Sequence, residues 1–277
     1  MRLAIAGPAR ERERLLAALI ELAPAGFEET AIEGSERVEF ALYGAPGELP
    51  ELAPGRATLG DVEVEVRCEL VPGDWADRWR RFHRAVRVAG IHVRPPWEPR
   101  DPSARVDVEI DPGRAFGTGA HATTRLCLRL LSSWLEGGEG RKRLTVCDIG
   151  CGSGVLGLVA RALGVERVLA CDHDRQAVEA TRANARRNRL ELAAIEQRDA
   201  LRDELPVADL YLANLTGPVL QRLAPRLPSQ AWVAASGFLC SEEAAVTAAF
   251  APRAAAVRMV EDEWCALLFA PLQSTAL

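Results

Sequence analysis

Hydrophobic and polar positions follow three successive rhythms along the chain. Over residues 62–68, Val62, Val64 and Val66 alternate with Glu63, Glu65 and Arg67, the two-residue period of a half-buried strand. Shorter patterns of the same kind predict strands over 2–6, 26–32 and 37–43, with a helix over 9–22. The Pro- and Gly-rich stretch 44–60 leaves little room for a second full helix. The order β-α-β-β-(short element)-β predicts a small α+β domain over residues 1–70, ferredoxin-like with its second helix reduced.

Beyond residue 70 the period lengthens. Trp75, Trp79 and Phe82 fall at i, i+4 and i+7 while Arg78, Arg81 and Arg84 fall elsewhere, which predicts a helix over 74–88 with the aromatics as packing. Two consecutive prolines force Val93-Arg-Pro-Pro-Trp97 into extended backbone, so 71–104 reads as a linker helix and connector. From 105 to 277 the pattern is α/β. After a strand over 105–110, helices are predicted over 123–135, 154–163, 175–188, 218–227 and 242–250. Strands alternate with them over 144–149, 167–172, 194–197, 209–213 and 230–235, followed by a pair over 254–260 and 265–270. The expected fold is a seven-stranded, doubly wound, Rossmann-like sheet whose last two strands form an antiparallel hairpin.

Length and composition agree with this division, since 277 residues with 48% hydrophobic content suit one α/β domain plus a smaller one. Apolar runs are short, and the N-terminus turns polar within a few residues, so neither a membrane span nor a secretory segment fits and a cytoplasmic protein is expected. Seven cysteines without a Cys-x-x-Cys pair and four scattered histidines indicate neither a disulfide framework nor a metal site.

The net charge of −5 argues against a general nucleic-acid binder. Its distribution adds detail: residues 1–70 hold seven arginines against fourteen acids, whereas 78–105 hold eight arginines against two acids. The ordinary reading is two solvated faces; the sharper one is an acidic small domain that attracts a basic partner and a basic segment that touches a phosphate-rich one.

The chemistry concentrates after the strand ending at Ile149. There Gly150-Cys-Gly-Ser-Gly154 opens a helix, so backbone amides meet a ligand where side chains would block it. The loop alone is ambiguous, because Gly152-Ser-Gly-Val-Leu-Gly157 also satisfies the dinucleotide pattern. Asp172, ending the next strand, suits the ribose hydroxyls of either cofactor. Three features favour a sulfonium cofactor. Asp148 can hold an ammonium group and would oppose a pyrophosphate, a helix and a further glycine loop precede the fingerprint, and Asn214 ends the fourth strand beside the crevice. The ordinary alternative for Asp148 is a carboxylate bracing the loop. Asp199, ending the third strand, is placed to contact adenine.

Phe116-Gly-Thr-Gly-Ala-His-Ala-Thr-Thr124, following Asp111-Pro-Gly113, resembles the PrmA-type methyltransferases of ribosomal protein L-11. The resemblance extends to Asp74-Trp-Ala-Asp-Arg-Trp-Arg-Arg-Phe82, Val93–Trp97, Asp148–Gly154, Ala213-Asn-Leu-Thr-Gly-Pro218 and Glu263-Trp264. It implies S-adenosyl-L-methionine as cofactor and protein methylation as activity, with Thr124, Gly150, Asp172 and Asn214 matching cofactor-contacting positions. Asp148 and Gly152 join them from the loop itself. Phe116, Gly117, Thr118 and Gly119 match the loop that closes over the cofactor's methionine end. His121 falls near the substrate opening or braces the loop. The implied substrate amines are lysine side chains and the N-terminus of ribosomal protein L-11. Another protein or small amine, and a non-catalytic ribosome- or RNA-associated module, are the alternatives. No residue stands out as a dedicated base, so Asn214 is expected to orient the amine while water takes the proton.

Overall fold

The structure, a computed structural model, describes residues 2–22, 28–32, 34–43, 49–50, 52–69, 84–111 and 121–272. The chain divides into two compact units, 1–82 and 83–277.

In the first unit, β1 (Arg2–Pro8), α1 (Arg12–Leu22), β2 (Glu28–Ala31), β3 (Arg37–Tyr43), β4 (Gly55–Leu59) and β5 (Val62–Glu69) build a sheet of order β2-β3-β1-β5-β4. All four pairings are antiparallel. This is the split β-α-β order, with the hairpin strand β4 standing where a second helix would be. The alternation read in the sequence decides the faces: Val62, Val64 and Val66 are buried with Leu3, Ile5, Leu15, Leu19 and Phe40 in one core. The acids between them pair outward, Glu39 with Arg2 and Arg67, and Glu65 with Arg37.

The second unit opens with β6 (Val86–Val88), β7 (Ile91–Arg94) and β8 (Val106–Glu109), a three-stranded sheet. Here the sequence reading is corrected: residues 86–88, expected to close a helix over 74–88, form a strand. Ala89 (φ 48°) and Gly90 (φ 75°) form a two-residue turn with positive φ at both positions, and Val86 and Val88 pair with Val93 and Ile91. The aromatic positions 75, 79 and 82 lie outside the described residues. The basic run is also less available than its composition implied. Arg94 is buried and paired to Asp107 at 2.9 Å and Glu109 at 3.0 Å, and Arg87 is paired to Asp101.

The main sheet follows the expected pattern closely. Its strands are β9 (Thr145–Ile149), β10 (Arg167–Asp172), β11 (Ala194–Gln197), β12 (Leu210–Asn214), β13 (Trp232–Leu239), β14 (Ala255–Glu261) and β15 (Trp264–Phe269), ordered β11-β10-β9-β12-β13-β15-β14. The first five are parallel and β15 is antiparallel to both neighbours. Strand order reverses between β9 and β12, which is where open α/β sheets place their ligand crevice.

Helices α2 (Ala122–Glu136), α3 (Val155–Ala162), α4 (Arg175–Asn188), α5 (Gly217–Leu223) and α6 (Glu243–Ala249) fill the connections. On α2 the fully buried Leu126, Leu130, Leu131 and Trp134 recur at helical spacing, each burial worth about 1.5–3 kcal/mol. Asp174 caps α4 by accepting from Gln176 N at 2.8 Å, and Arg189 ends it in the left-handed conformation (φ 54°). β13 runs beyond the strand expected over 230–235 because Gly237 (φ 96°) bulges it and shifts its register against β15.

Candidate functional site

Gly150, Gly152 and Gly154 all have positive φ (67°, 53° and 82°), so the turn out of β9 uses backbone that other residues rarely adopt. The amides of Gly150 and Cys151 both donate to Cys171 O, at 2.9 and 3.1 Å, and latch the loop to the end of β10. Glycine is also needed for space. A Cβ on Gly150 would stand 2.6 Å from Leu215 Cδ2, and one on Gly154 2.7 Å from Thr181 Cγ2. The result is a tightly packed glycine turn at the start of α3, whose N-terminal end favours negative charge.

Asp172 ends β10 beside this loop and is 7% exposed. Its Oδ2 accepts from Gly152 N at 3.0 Å and its Oδ1 from Asp174 N at 3.0 Å, which fixes the carboxylate at the crevice edge. Asp148 points the other way. It is 1% exposed and its Oδ2 accepts from Gly157 N at 2.9 Å, a bracing contact between β9 and the first turns of α3. Burial pushes its carboxyl up to about 7, against the lowering effect of the Gly157 amide and with a smaller push from Asp172. Asp199 lies just beyond β11, where its Oδ1 accepts from Leu201 N at 2.9 Å and its Oδ2 pairs with Arg202 at 3.3 Å, so it shapes its own turn.

Asn214 ends β12 and reaches the first turn of α2, its Nδ2 donating to Thr124 Oγ1 at 3.3 Å. The donor end is thereby committed, while Asn214 Oδ1 is buried without a hydrogen-bond partner among the described residues. An orphaned buried acceptor costs about 1–3 kcal/mol, so this oxygen keeps an unused capacity to accept a hydrogen bond. Leu215 holds Asn214 in place. Leu215 N donates to Ser236 O at 2.9 Å, its side chain covers Gly150, and its backbone passes so near Gly237 that a Cβ there would stand 2.5 Å from Leu215 O.

His121 caps α2. Its Nδ1 accepts from Thr123 N and lies 2.9 Å from Thr123 Oγ1, and its ring meets Trp264 edge-on at 4.9 Å. Burial, then the nearby Arg125 cation, hold its imidazole below the usual range against an opposing pull from Glu261. That geometry is a loop brace.

The fold therefore brings Gly150, Gly152, Asp172, Asn214 and Thr124 to the carboxyl ends of three neighbouring strands, β10, β9 and β12, and the first turn of α2. It turns Asp148 inward and leaves Asp199 in its own turn. Phe116, Gly117, Thr118 and Gly119 lie outside the described residues. Sequence reasoning missed Leu215, Gly237 and Thr181. Gly237 had a signal, a lone glycine in an apolar stretch, which marks a bulge. Thr181 had one too, a polar residue on the stripe Ala177, Val178, Ala185. Leu215 had none, because its role depends on which glycines it meets.

A family profile described as "Ribosomal protein L11 methyltransferase (PrmA)" matches residues 48–271. A ribosomal protein L11 methyltransferase of Syntrophotalea carbinolica is 37% identical over 233 residues, 80% of this chain and 73% of that one. One of Caldanaerobacter subterraneus is 38% identical over 177 residues, 63% of this chain; the match spans 55% of that relative's length. Among solved structures, a ribosomal protein L11 methylase of Lactobacillus delbrueckii aligns with a TM-score of 0.61 at 27% identity, covering 68% of this chain and 98% of that one.

Proposed function

Because the chain belongs to the ribosomal protein L11 methyltransferase family, we propose that it is an S-adenosyl-L-methionine-dependent N-methyltransferase acting on lysine side-chain and N-terminal amines of ribosomal protein L11. The observation that carries this reading is the Asn214 carbonyl oxygen, buried, oriented through Thr124 and unpartnered among the described residues, at the mouth of a glycine cradle with an acid on its far side.

These residues fit the cofactor. Gly150 and Gly154 leave no room for a Cβ, Asp172 offers a carboxylate for ribose hydroxyls, and Thr124 stands in the first turn of α2, whose N-terminal end suits a carboxylate. Asp148 acts on this cofactor through the loop it braces, and Asp199 through the turn beside Asp172. When bound, the sulfonium supplies an already activated methyl group. What remains for the chain is orientation, exclusion of water and management of one proton.

Freeing a lysine lone pair at pH 7 from a reference value near 10.4 costs roughly 4–5 kcal/mol, against about 1 kcal/mol for an α-amine. Asn214 Oδ1 accepts a hydrogen bond from the neutral amine and so aims the remaining lone pair into the crevice. It is no base, so the proton leaves to water. The acidic unit 1–82 is the part suited to the basic protein substrate, and exposed Arg100 and Arg105 remain for a contact with ribosomal RNA. No described helix is long and apolar enough to cross a membrane, and we assign the reaction to the cytoplasm, where a free ribosomal protein is met.

Incubation with methyl-labelled cofactor and separated ribosomal proteins tests the reading. Label on L11 alone supports it. Label on another protein or on small amines moves the substrate, and cofactor binding without transfer leaves a binding module.

A further inference from the structure

We propose that Asn184, on α4, is a positioning residue for cofactor binding, setting the glycine loop at its working distance from the strand β8. The inference rests on the function proposed above and adds to it a residue that touches neither cofactor nor substrate.

α4 packs an otherwise small and apolar stripe inward: Ala177, Val178 and Ala185 are buried, yet Thr181 and Asn184 are buried among them at 0% and 1% exposure. A buried amide costs several kcal/mol unless both its ends are bonded, so packing alone would favour alanine or leucine here. Asn184 uses both ends. Its Nδ2 donates to Ser153 O at 2.9 Å and its Oδ1 accepts from Asp111 N at 3.0 Å. Thr181, one turn earlier, donates to Gly152 O at 3.0 Å.

Two consecutive loop carbonyls are thus held by α4, with their partial negative charge turned away from the cradle in which an anionic ligand group would sit. The Asn184 bridge spans segments that no strand pairing connects, since β8 belongs to the small sheet and Ser153 to the loop leaving the main one. An aspartate cannot replace it, having no donor for Ser153 O, and neither can an apolar residue.

Asn188 supplies the comparison. One turn further along, its Oδ1 accepts from Glu109 N at 2.7 Å and its Nδ2 donates to Glu109 O at 2.6 Å. It also donates to Asn184 O at 2.8 Å, and none of its described hydrogen bonds reaches the glycine loop.

Asn184→Ala, Asn184→Asp and Asn188→Ala are to be compared in the full chain by thermal melting, by calorimetric titration with S-adenosylmethionine, and by KM and kcat. We expect all three to lower Tm. Only the two Asn184 variants should raise Kd and KM for the cofactor, by about tenfold, with kcat at saturating cofactor within about twofold. The Asp variant, which retains the acceptor for Asp111 N, carries the test if the Ala variant does not fold. Wild-type affinity in a folded Asn184 variant overturns the proposal. So does an equal rise for Asn188→Ala, which would reduce the effect to general stability. A wild-type chain that does not bind S-adenosylmethionine overturns the underlying function instead, and is seen before any variant is made.

Discussion

Asn214 Nδ2 donates to Thr124 Oγ1 at 3.3 Å across 90 residues of sequence, so the amide of one candidate site residue is oriented by the hydroxyl of another. The Oδ1 of the same amide is buried and has no hydrogen-bond partner among the described residues. Asn214→Ala should lower kcat about 100-fold while the cofactor Kd changes by less than about tenfold. Thr124→Val should lower kcat about tenfold, because the amide loses its anchor but keeps its oxygen. The double variant should be no slower than Asn214→Ala, since the hydroxyl acts only through the amide. Additive losses in single-turnover rates would mean that Thr124 acts on its own.

Asp172 bonds to Gly152 N and Asp174 N while remaining at the crevice edge. Asp172→Ala is expected to weaken S-adenosylmethionine binding at least about 100-fold by calorimetry, since both a ribose acceptor and the loop latch are lost. Near-wild-type affinity would remove the ribose assignment.

Asp148 makes stability depend on pH in an unusual direction for a carboxylate. Its folded value is raised from 3.8 to about 7, so the folded state binds the extra proton between those values. Its contribution is fully present below about pH 4 and is lost as pH rises through 7, at most on the order of 4 kcal/mol. Urea titrations of wild type and Asp148→Asn at several pH values should give a stability difference that shifts against the wild type from pH 4 to 7 and is flat above. A difference independent of pH would show that the carboxyl is not perturbed.

Gly150 and Gly237 both face Leu215, but a Cβ at Gly150 meets a side-chain tip and one at Gly237 meets backbone. Both have positive φ, so each alanine substitution carries about 1–2 kcal/mol of backbone strain. A side-chain tip rotates away and a backbone oxygen does not. Gly237→Ala is therefore expected to lower the denaturation midpoint more than Gly150→Ala. The reverse order would place Leu215 differently between the two glycines.

The sequence by itself determined the elements of the larger unit, since periods of 2 and 3.6 with Gly and Asp punctuation are local signals. Strands 167–172 and 194–197 and the helix 175–188 fall where the structure has them. It also determined that Gly150 follows the first, and Asp172 and Asn214 end the second and fourth, of the parallel strands, which places them at one edge of the sheet. Only the tertiary structure decided what those residues do there. Asp148 reads as a cofactor acid in the sequence but is spent on Gly157 N, because the direction of a side chain depends on the helix packed against its strand. Val86–Val88 reads as the end of a helix but pairs across the Ala89-Gly90 turn, because β7 offers it a partner that local propensity cannot count. Thr124 meets Asn214, and Asn184 meets Ser153, through contacts 90 and 31 residues apart in the chain. Such contacts follow from sheet order and helix docking, and no local pattern encodes them.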